Sequence, residues 1–562
     1  MATALARSIR TCLMRRSGDA LLTICAARPE QPHERLTGAA LHRAALVRGQ
    51  ALAGAFNPAD GPLALVMPCG SLFVETMIGA LYAGFTIAPL ARPRPGPQAD
   101  RFDAIIKDCR PAAILCTEGL AARLAEARPG AGGRDVPIVA LASATDAVPD
   151  EALPDRAGGG GPERPAILQY TSGSTRAPRG VLLHGDAILA NAALANRTWG
   201  MDESGTMLSW LPHFHDMGLM GGILYPLLAG GATALMDPLR MIQRPERWLQ
   251  LIGELRATFS GGPAFAFAHC LESVSDAQCA ALDLSSWRKA FCGAEPVPAA
   301  LMAAFRARFA GCGLDPRAVF ASYGLAEHVL MVAGGTSERP EQRPPPPPGC
   351  EAIEPCCVAA EMHDRLRIVD PETRRPLPDN VIGEIWLRGD SVAGSYLGDP
   401  EETARVFHAR LDDPGDPDAI GDDWLRTGDL GALRDGYLYV VGRLKDLLFV
   451  NGQKVPASDV EWLAGAQDPA LNPMAAAALM PDELANGKGV LLIELRRRSH
   501  RIDEDLVRRR ISRAVAGAWS IELTDIVFLA PNSLPRTTSG KVQRRLTAQA
   551  YRDDKLARTT PA

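Results

Sequence analysis

Hydroxyls, glycines and guanidiniums crowd together in Leu168–Val181, LQYTSGSTRAPRGV. An apolar run leads into Thr171, Ser172, Gly173, Ser174 and Thr175, with Gly180 just beyond. Such a loop offers backbone N–H groups and hydroxyls to an anion, and glycine lets the backbone come close. Arg176 and Arg179 add charge suited to phosphate. The Walker pattern G-x-x-x-x-G-K-[ST] is absent. On its residues alone the segment is either a phosphate loop of another kind or a Ser/Thr-rich surface turn.

The spacing YTSGST-x-x-P-[KR]-G resembles the signature of the adenylate-forming superfamily, which contains acyl-CoA synthetases, firefly luciferases and peptide-synthetase adenylation domains. Further signatures of that superfamily follow in the expected order. They are Trp210–Gly218 (WLPHFHDMG), Gly293–Glu295 (GAE), Tyr323–Glu327 (YGLAE), Arg426–Asp429 (RTGD), Gly442–Asp446 (GRLKD) and Leu534–Lys541 (LPRTTSGK). The resemblance implies that ATP activates a carboxylic acid as acyl-AMP, with release of pyrophosphate.

Each motif has a physical task in that reaction. Tyr323 offers an aromatic face for adenine, and Gly293, Ala294, Glu295 and Gly324 let backbone approach its edge. Glu327 supplies a hard oxygen ligand for Mg²⁺, which screens phosphate charge. Asp429 can accept from both ribose hydroxyls and Arg443 can donate from the other side. Lys541 can reach the carboxylate and the α-phosphate, where negative charge develops. In the superfamily the lysine matching Lys541 serves adenylation, and Lys445 matches the hinge on which a small lobe swings. Taken singly, these residues read as a core tyrosine, a capping glutamate, a turn aspartate and a solvated lysine.

Several stretches look more like fatty acyl-AMP ligases than acyl-CoA synthetases, among them Ser260–Phe267, Leu282–Val297 and Ser322–Leu330. That likeness implies a fatty acid substrate and acyl transfer to the phosphopantetheine thiol of an acyl carrier protein. CoA is the alternative acceptor, and a small or amino acid the alternative substrate. An inactive carrier-binding scaffold is the non-enzymatic alternative. The segment Gly335–Asp364 is short and proline-rich where that branch carries an insertion, and Val450–Pro456 departs from the usual small-lobe loop. His215, Asp216, Met217, Gly218, Met220, Gly221, Gly262, Pro263, Phe265 and Phe267 are the pocket candidates, mostly apolar and small. Simple core packing accounts for such residues equally well.

These groups need a large scaffold, and 562 residues are too many for one core. Alternating strand-like and helical runs up to about Ser143, such as Leu63–Met67, Ser71–Tyr82 and Ala112–Leu115, argue for a wound α/β sheet. Asp155–Pro165 reads as a Gly/Pro-rich linker and Arg343–Gly349 as a surface loop or short polyproline stretch. Beyond Gly442, Ser458-Asp459-Val460-Glu461 has capping-box spacing, and strand and helix patterns follow. The expected fold is α/β: a large N-terminal lobe of wound sheets (1–441, AMP-binding), a hinge (442–446) and a small mobile α+β lid (447–562).

Charge and composition exclude other classes. Lys+Arg 60 against Asp+Glu 65 leaves a net charge of -5, with no basic excess for nucleic acid. The 12 cysteines form no C-x-x-C pair, so neither zinc nor a redox motif is expected, and free thiols suit the cytoplasm. The apolar Gly79–Leu90 is too short to cross a bilayer. Arg7, Arg10, Arg15 and Arg16 precede the first acid, Asp19. They suit either a targeting peptide or a surface helix over Leu5–Met14 that leads into a strand.

Overall fold

The computed structural model describes residues 3–93, 97–127, 136–142, 164–171, 178–335, 343–412, 423–450, 453–480, 488–496, 502–537 and 541–557. Most of the Asp155–Pro165 stretch falls outside these residues. Two large mixed sheets carry the first part of the chain. One has seven strands, ordered Ser395–Tyr396, Gly180–Leu183, Ile167–Tyr170, Ile87–Pro89, Leu63–Val66, Ala113–Cys116 and Ile138–Ala140. The other has eight, running from Met331–Gly334 through Val319–Gly324, Lys289–Gly293, Phe259–Gly262, Thr206–Ser209, Ala232–Leu235 and Ala20–Ile24 to Glu34–Thr37. The inner pairs of the eight-stranded sheet are parallel and its two edge pairs antiparallel. Parallel strands buried on both faces read as continuous apolar runs. Leu63–Val66 and Ala113–Cys116 are buried at every position for that reason.

The helix Ser71–Tyr82 is buried from Phe73 to its end. It crosses Gly38–Ala55 where Gly49 faces Gly79, and a Cβ on Gly79 would sit 2.5 Å from the Ala45 carbonyl oxygen. Only glycine permits that approach. The first helix, Ala4–Arg15, leads into the strand Ala20–Ile24 and is a surface helix, with Arg7, Arg10, Thr11 and Met14 exposed and one face on the core. Leu5, Ile9 and Leu13 form a stripe at 0% exposure in the main core, and Thr3 caps the helix by accepting from the Ala6 N–H. Of the early arginines, Arg15 pairs with Glu203 at 2.9 Å and Arg16 with Asp19 at 2.7 Å.

A five-stranded antiparallel sheet follows, ordered Cys356–Cys357, Tyr437–Arg443, Leu425–Arg434, Gly383–Leu387 and Leu366–Val369. Arg343–Gly349 is packed against this region instead of lying free. The Arg343 side chain is 6% exposed and, with Arg306, pairs to the buried Glu354.

Past Asp446 the chain builds a hairpin, Leu447–Val450 with Gln453–Pro456, and a three-stranded sheet of Leu471–Leu479, Lys488–Leu495 and Glu522–Leu529. Helices Ala457–Gly465, Glu504–Trp519 and Arg544–Arg552 complete it. This part has its own core around Val460, Ile493 and Ile511. The capping box expected at Ser458 does not form, because the helix starts at Ala457 with Pro456 in the N-cap position, two residues ahead of Ser458. Glu461, freed from that task, is buried and takes both Arg544 Nε (3.0 Å) and Nη2 (2.8 Å), while Arg544 Nη1 reaches Asp446 at 3.2 Å. Arg544→Met strands Glu461 without its cation. Removal of one partner of a buried pair costs about 3 kcal/mol or more, which denaturant unfolding followed by tryptophan fluorescence will report.

Candidate active site

The motifs converge at the carboxyl ends of parallel strands, where open α/β sheets present their ligand sites. Gly293 ends one strand and Gly324 ends its neighbour. A Cβ on Gly293 would fall 2.4 Å from the Ser322 carbonyl oxygen, and one on Gly324 would overlap that of Leu330. Ala294 follows at φ +73° and Val329 stands at φ +63°. The latter is an unusual setting for a β-branched residue. The turn that forces it, with Leu325 N–H donating to the Leu330 carbonyl and Val329 N–H to that of Ala326, is also the turn that carries Glu327.

A cavity of about 1610 Å³ opens here. Thr171, Arg179, His215, Asp216, Met217, Gly218, Ala294, Tyr323, Gly324, Glu327, Arg443, Lys445 and Lys541 all line it, as do Gly221, Pro263 and Phe265. A smaller cavity of about 200 Å³ shares Tyr323, Arg443 and Lys541 with it and adds Glu295 and Asp429. Ser172, Gly173, Ser174 and Thr175 lie outside the described residues.

Some candidates stand elsewhere. Gly262 does not line either cavity, and a Cβ there would fall 2.4 Å from the Trp210 ring. Trp210 in turn meets Phe265 edge to face, centroids 5.9 Å apart. Phe267 belongs to the core, stacked edgewise on Trp248 and Phe305. Met220 is wholly buried and Gly293 only underlies the cavity. Arg179 is already paired, to Glu402 at 2.5 Å, and its guanidinium lies 5.4 Å from the Tyr396 ring centroid.

Around the cavity the polar groups are held in pairs. Asp429 accepts from the Tyr323 hydroxyl at 2.9 Å and pairs with Arg443 Nε at 3.1 Å. The antiparallel register of two consecutive strands sets Asp429 opposite Arg443, so two neighbouring motifs become one ion pair. Glu327 Oε1 accepts from the Tyr396 hydroxyl at 2.8 Å. Asp216 Oδ1 accepts from the Met217 N–H at 2.7 Å, at the head of a π-helical stretch, Met217–Leu224. Lys541 is fixed by a reciprocal pair of bonds. Its N–H donates to Thr537 Oγ1 at 3.1 Å, and the Thr537 N–H donates to its carbonyl at 2.8 Å.

Burial raises the carboxyl pKa values of Asp216, Glu295 and Glu327 and lowers that of the Lys541 ammonium. Arg443 lowers Lys541 further, while Glu295, Asp216 and Asp429 act the other way. His215 is pushed down to about 3 by burial first, then by Lys541, Arg101 and His213. His213 and His328, also buried, fall to about 4.

Residues outside the motifs contribute as well. Arg101 Nη2 donates to the Thr171 carbonyl at 2.6 Å, and no carboxylate among the described residues pairs with it. Arg426 forks onto Glu384, its closest approach 2.7 Å. Tyr396, Arg101, Glu384 and Glu402 carry no sequence signal of their own. The contacts that tie them to the motifs span 42 to 223 residues of sequence.

Comparison with known proteins agrees with this geometry. The family model described as AMP-binding enzyme matches residues 14–397. The long-chain-fatty-acid–AMP ligase FadD26 of Mycobacterium tuberculosis is 36% identical over 521 residues, 88% of each chain. The 4-hydroxyphenylalkanoate adenylyltransferase of the same organism is 35% identical over 552 residues, 93% of this chain and 87% of that one. A fatty acyl-adenylate ligase structure from work on the E. coli and L. pneumophila enzymes superimposes with TM-score 0.79 at 27% identity, covering 98% of both chains. The L. pneumophila fatty acyl-adenylate ligase in complex with acyl adenylate and pyrophosphate gives TM-score 0.69 at 27% identity, covering 98% and 96%. The chain belongs to the AMP-binding enzyme family. It is a ligase that uses ATP to activate a carboxylic acid as its adenylate.

The depressed histidines have a measurable consequence. A histidine at about 3 or 4 when folded and about 6.5 when unfolded takes its proton only in the unfolded chain. Its contribution to stability is present above about pH 6.5 and is lost as pH falls. Proton NMR of the ring resonances of His213, His215 and His328 will show no titration between about pH 8 and 5, and Tm will fall across the same interval. A midpoint near the ordinary histidine value for any of them contradicts this burial.

Proposed function

We propose that this ligase activates a fatty acid and delivers the acyl group to the phosphopantetheine thiol of an acyl carrier protein. The observation that carries the reading is the meeting of the Lys541 ammonium with a cavity one wall of which is apolar. Met217, Gly218, Gly221, Phe265 and Leu330 line it and suit an alkyl chain better than a charged side chain. A relative named for long-chain fatty acids and a structural neighbour named a fatty acyl-adenylate ligase support the same substrate class.

In the proposed adenylation, Tyr323 stacks on adenine while the Asp429–Arg443 pair opens to the ribose hydroxyls. Thr171 and Arg179 face the phosphates, Arg179 exchanging Glu402 for them. The acid lies along Phe265 and Met217 with its carboxylate towards Lys541. The attacking carboxylate oxygen bonds to the α-phosphorus as the bond to the β,γ-pyrophosphate breaks. Lys541 lies between the two anions, offsetting their repulsion and the charge that builds during attack. His215, held neutral by burial, adds no competing positive charge.

The residues present fit a divalent cation brought in on the nucleotide. Glu327 has one oxygen committed to Tyr396, and no cluster of three or more His, Cys, Asp or Glu gathers among the described residues. One carboxylate plus phosphate oxygens is the usual Mg²⁺ arrangement. Bound there, Mg²⁺ supplies charge neutralisation for the leaving pyrophosphate.

For the second half-reaction, residues 447–562 turn as a lid about 442–446, with Lys445 in the pivot, and withdraw Lys541 so that the thiol can reach the mixed anhydride. Thiol attack on the acyl carbon then expels AMP and leaves a thioester. No helix among the described residues is long and apolar enough to cross a membrane, which suits an enzyme meeting carriers in the cytoplasm.

Lys541→Ala tests the reading by separating the two steps. It should lose ATP–pyrophosphate exchange by about 10²–10³-fold yet load a holo-carrier protein from supplied acyl-AMP at near the parent rate. Equal loss of both steps in a folded variant sinks the two-pose mechanism. Transfer to free CoA with no acylation of holo-carrier overturns the acceptor while leaving adenylation intact.

A further inference from the structure

We propose that Cys279 and Cys312 form a reversible disulfide under oxidation, a modification site separate from the adenylating cavity. Their sulfurs lie 2.8 Å apart, nearer than simple van der Waals contact allows, and neither residue lines either cavity. Cys312 Sγ also donates to the Cys279 carbonyl at 3.2 Å.

The backbone holds the two segments in place. Cys279 sits on the short helix Asp276–Ala280, opened by a capping box between Ser275 and Gln278. Cys312 closes the turn Ala310–Cys312, which follows helix Ala299–Phe309 directly. Leu284 N–H donates to the Cys312 carbonyl at 2.8 Å, and Arg308 Nη2 pairs with Asp276 at 2.8 Å. Bridging the sulfurs therefore asks for little backbone movement, which is the usual obstacle to a new disulfide. Both residues are shielded, at 7% and 6% exposure, and burial with its sulfur neighbour pushes the Cys312 thiol up to about 12. A small oxidant of the peroxide class is the reagent that can enter there.

One sulfur attacks the O–O bond of hydrogen peroxide and becomes a sulfenic acid as the first water departs. The second sulfur then displaces hydroxide from that sulfenic acid, and with the thiol proton this leaves as the second water. Two thiols are oxidised to one S–S bond and one peroxide is reduced to two waters. A dithiol reductant reverses the reaction by exchange. The closed loop holds strand Lys289–Gly293, the segment Gly293–Glu295 and helix Ala299–Phe309. The cross-link removes freedom from the unfolded chain and so steadies the elements that lead into the nucleotide site.

Peptide mapping of the full chain tests this. The protein is treated with hydrogen peroxide, alkylated under denaturing conditions and digested. The expected product joins the Cys279 and Cys312 peptides, two hydrogens lighter than their sum, and dithiothreitol abolishes it. Tm should rise by about 2–5 °C in the parent and not in Cys279→Ser or Cys312→Ser, with ATP–pyrophosphate exchange reporting that each variant is folded. Recovery of both residues alkylated, or as sulfinic acids without a cross-link, after other thiols have been oxidised overturns the proposal. So does an oxidant-induced Tm rise that survives in both serine variants.

Discussion

The site depends on keeping one ammonium in a place that disfavours charge. Lys541 is drawn into the cavity from the last part of the chain, and burial lowers its pKa. Asp216, Glu295 and Asp429, from three separate segments, oppose that tendency. Those carboxylates are in turn disfavoured by burial or fixed by partners, as with Asp429 between Tyr323 and Arg443. Lys541 and these carboxylates thus offset part of one another's burial. Two anions, carboxylate and triphosphate, must later enter the same space, which is the condition under which a preorganised cation is worth most.

That requirement explains the architecture around it. The eight-stranded sheet ends its parallel strands at Gly293 and Gly324, where backbone approaches backbone too closely for any side chain. The five-stranded sheet adds the Asp429–Arg443 register. Past Asp446, the Glu461–Arg544–Asp446 contacts tie the last helix to the GRLKD turn. One arginine thus joins that turn to the helix that follows Lys541.

Much of this was legible in the sequence because the chemistry is written in contiguous motifs. Thr171, Tyr323, Glu327, Asp429, Arg443 and Lys541 each lie in a short pattern, and all six border one or other of the two adjoining cavities. Tyr396 and Arg101 were not legible, since each acts through a partner at long range, Glu327 in one case and the Thr171 carbonyl in the other. Apolar pocket and apolar core share a composition, which is why Phe265 and Phe267, two residues apart, could not be told apart. The helix Ala264–Ser273 turns the first to the cavity and the second to Trp248 and Phe305. The capping-box spacing at Ser458 misled because tertiary pairing to Arg544 outweighs a local cap.

In the proposed mechanism the acid attacks the α-phosphorus of ATP before any thiol is acylated. Oxygen tracing tests it most directly. A saturated fatty acid labelled with ¹⁸O in its carboxylate is turned over with unlabelled ATP and a holo-carrier protein, and the nucleotide products are read by mass spectrometry. The mechanism predicts one labelled oxygen in AMP and none in pyrophosphate. Label in inorganic phosphate with ADP as the product, or AMP free of label, would contradict it.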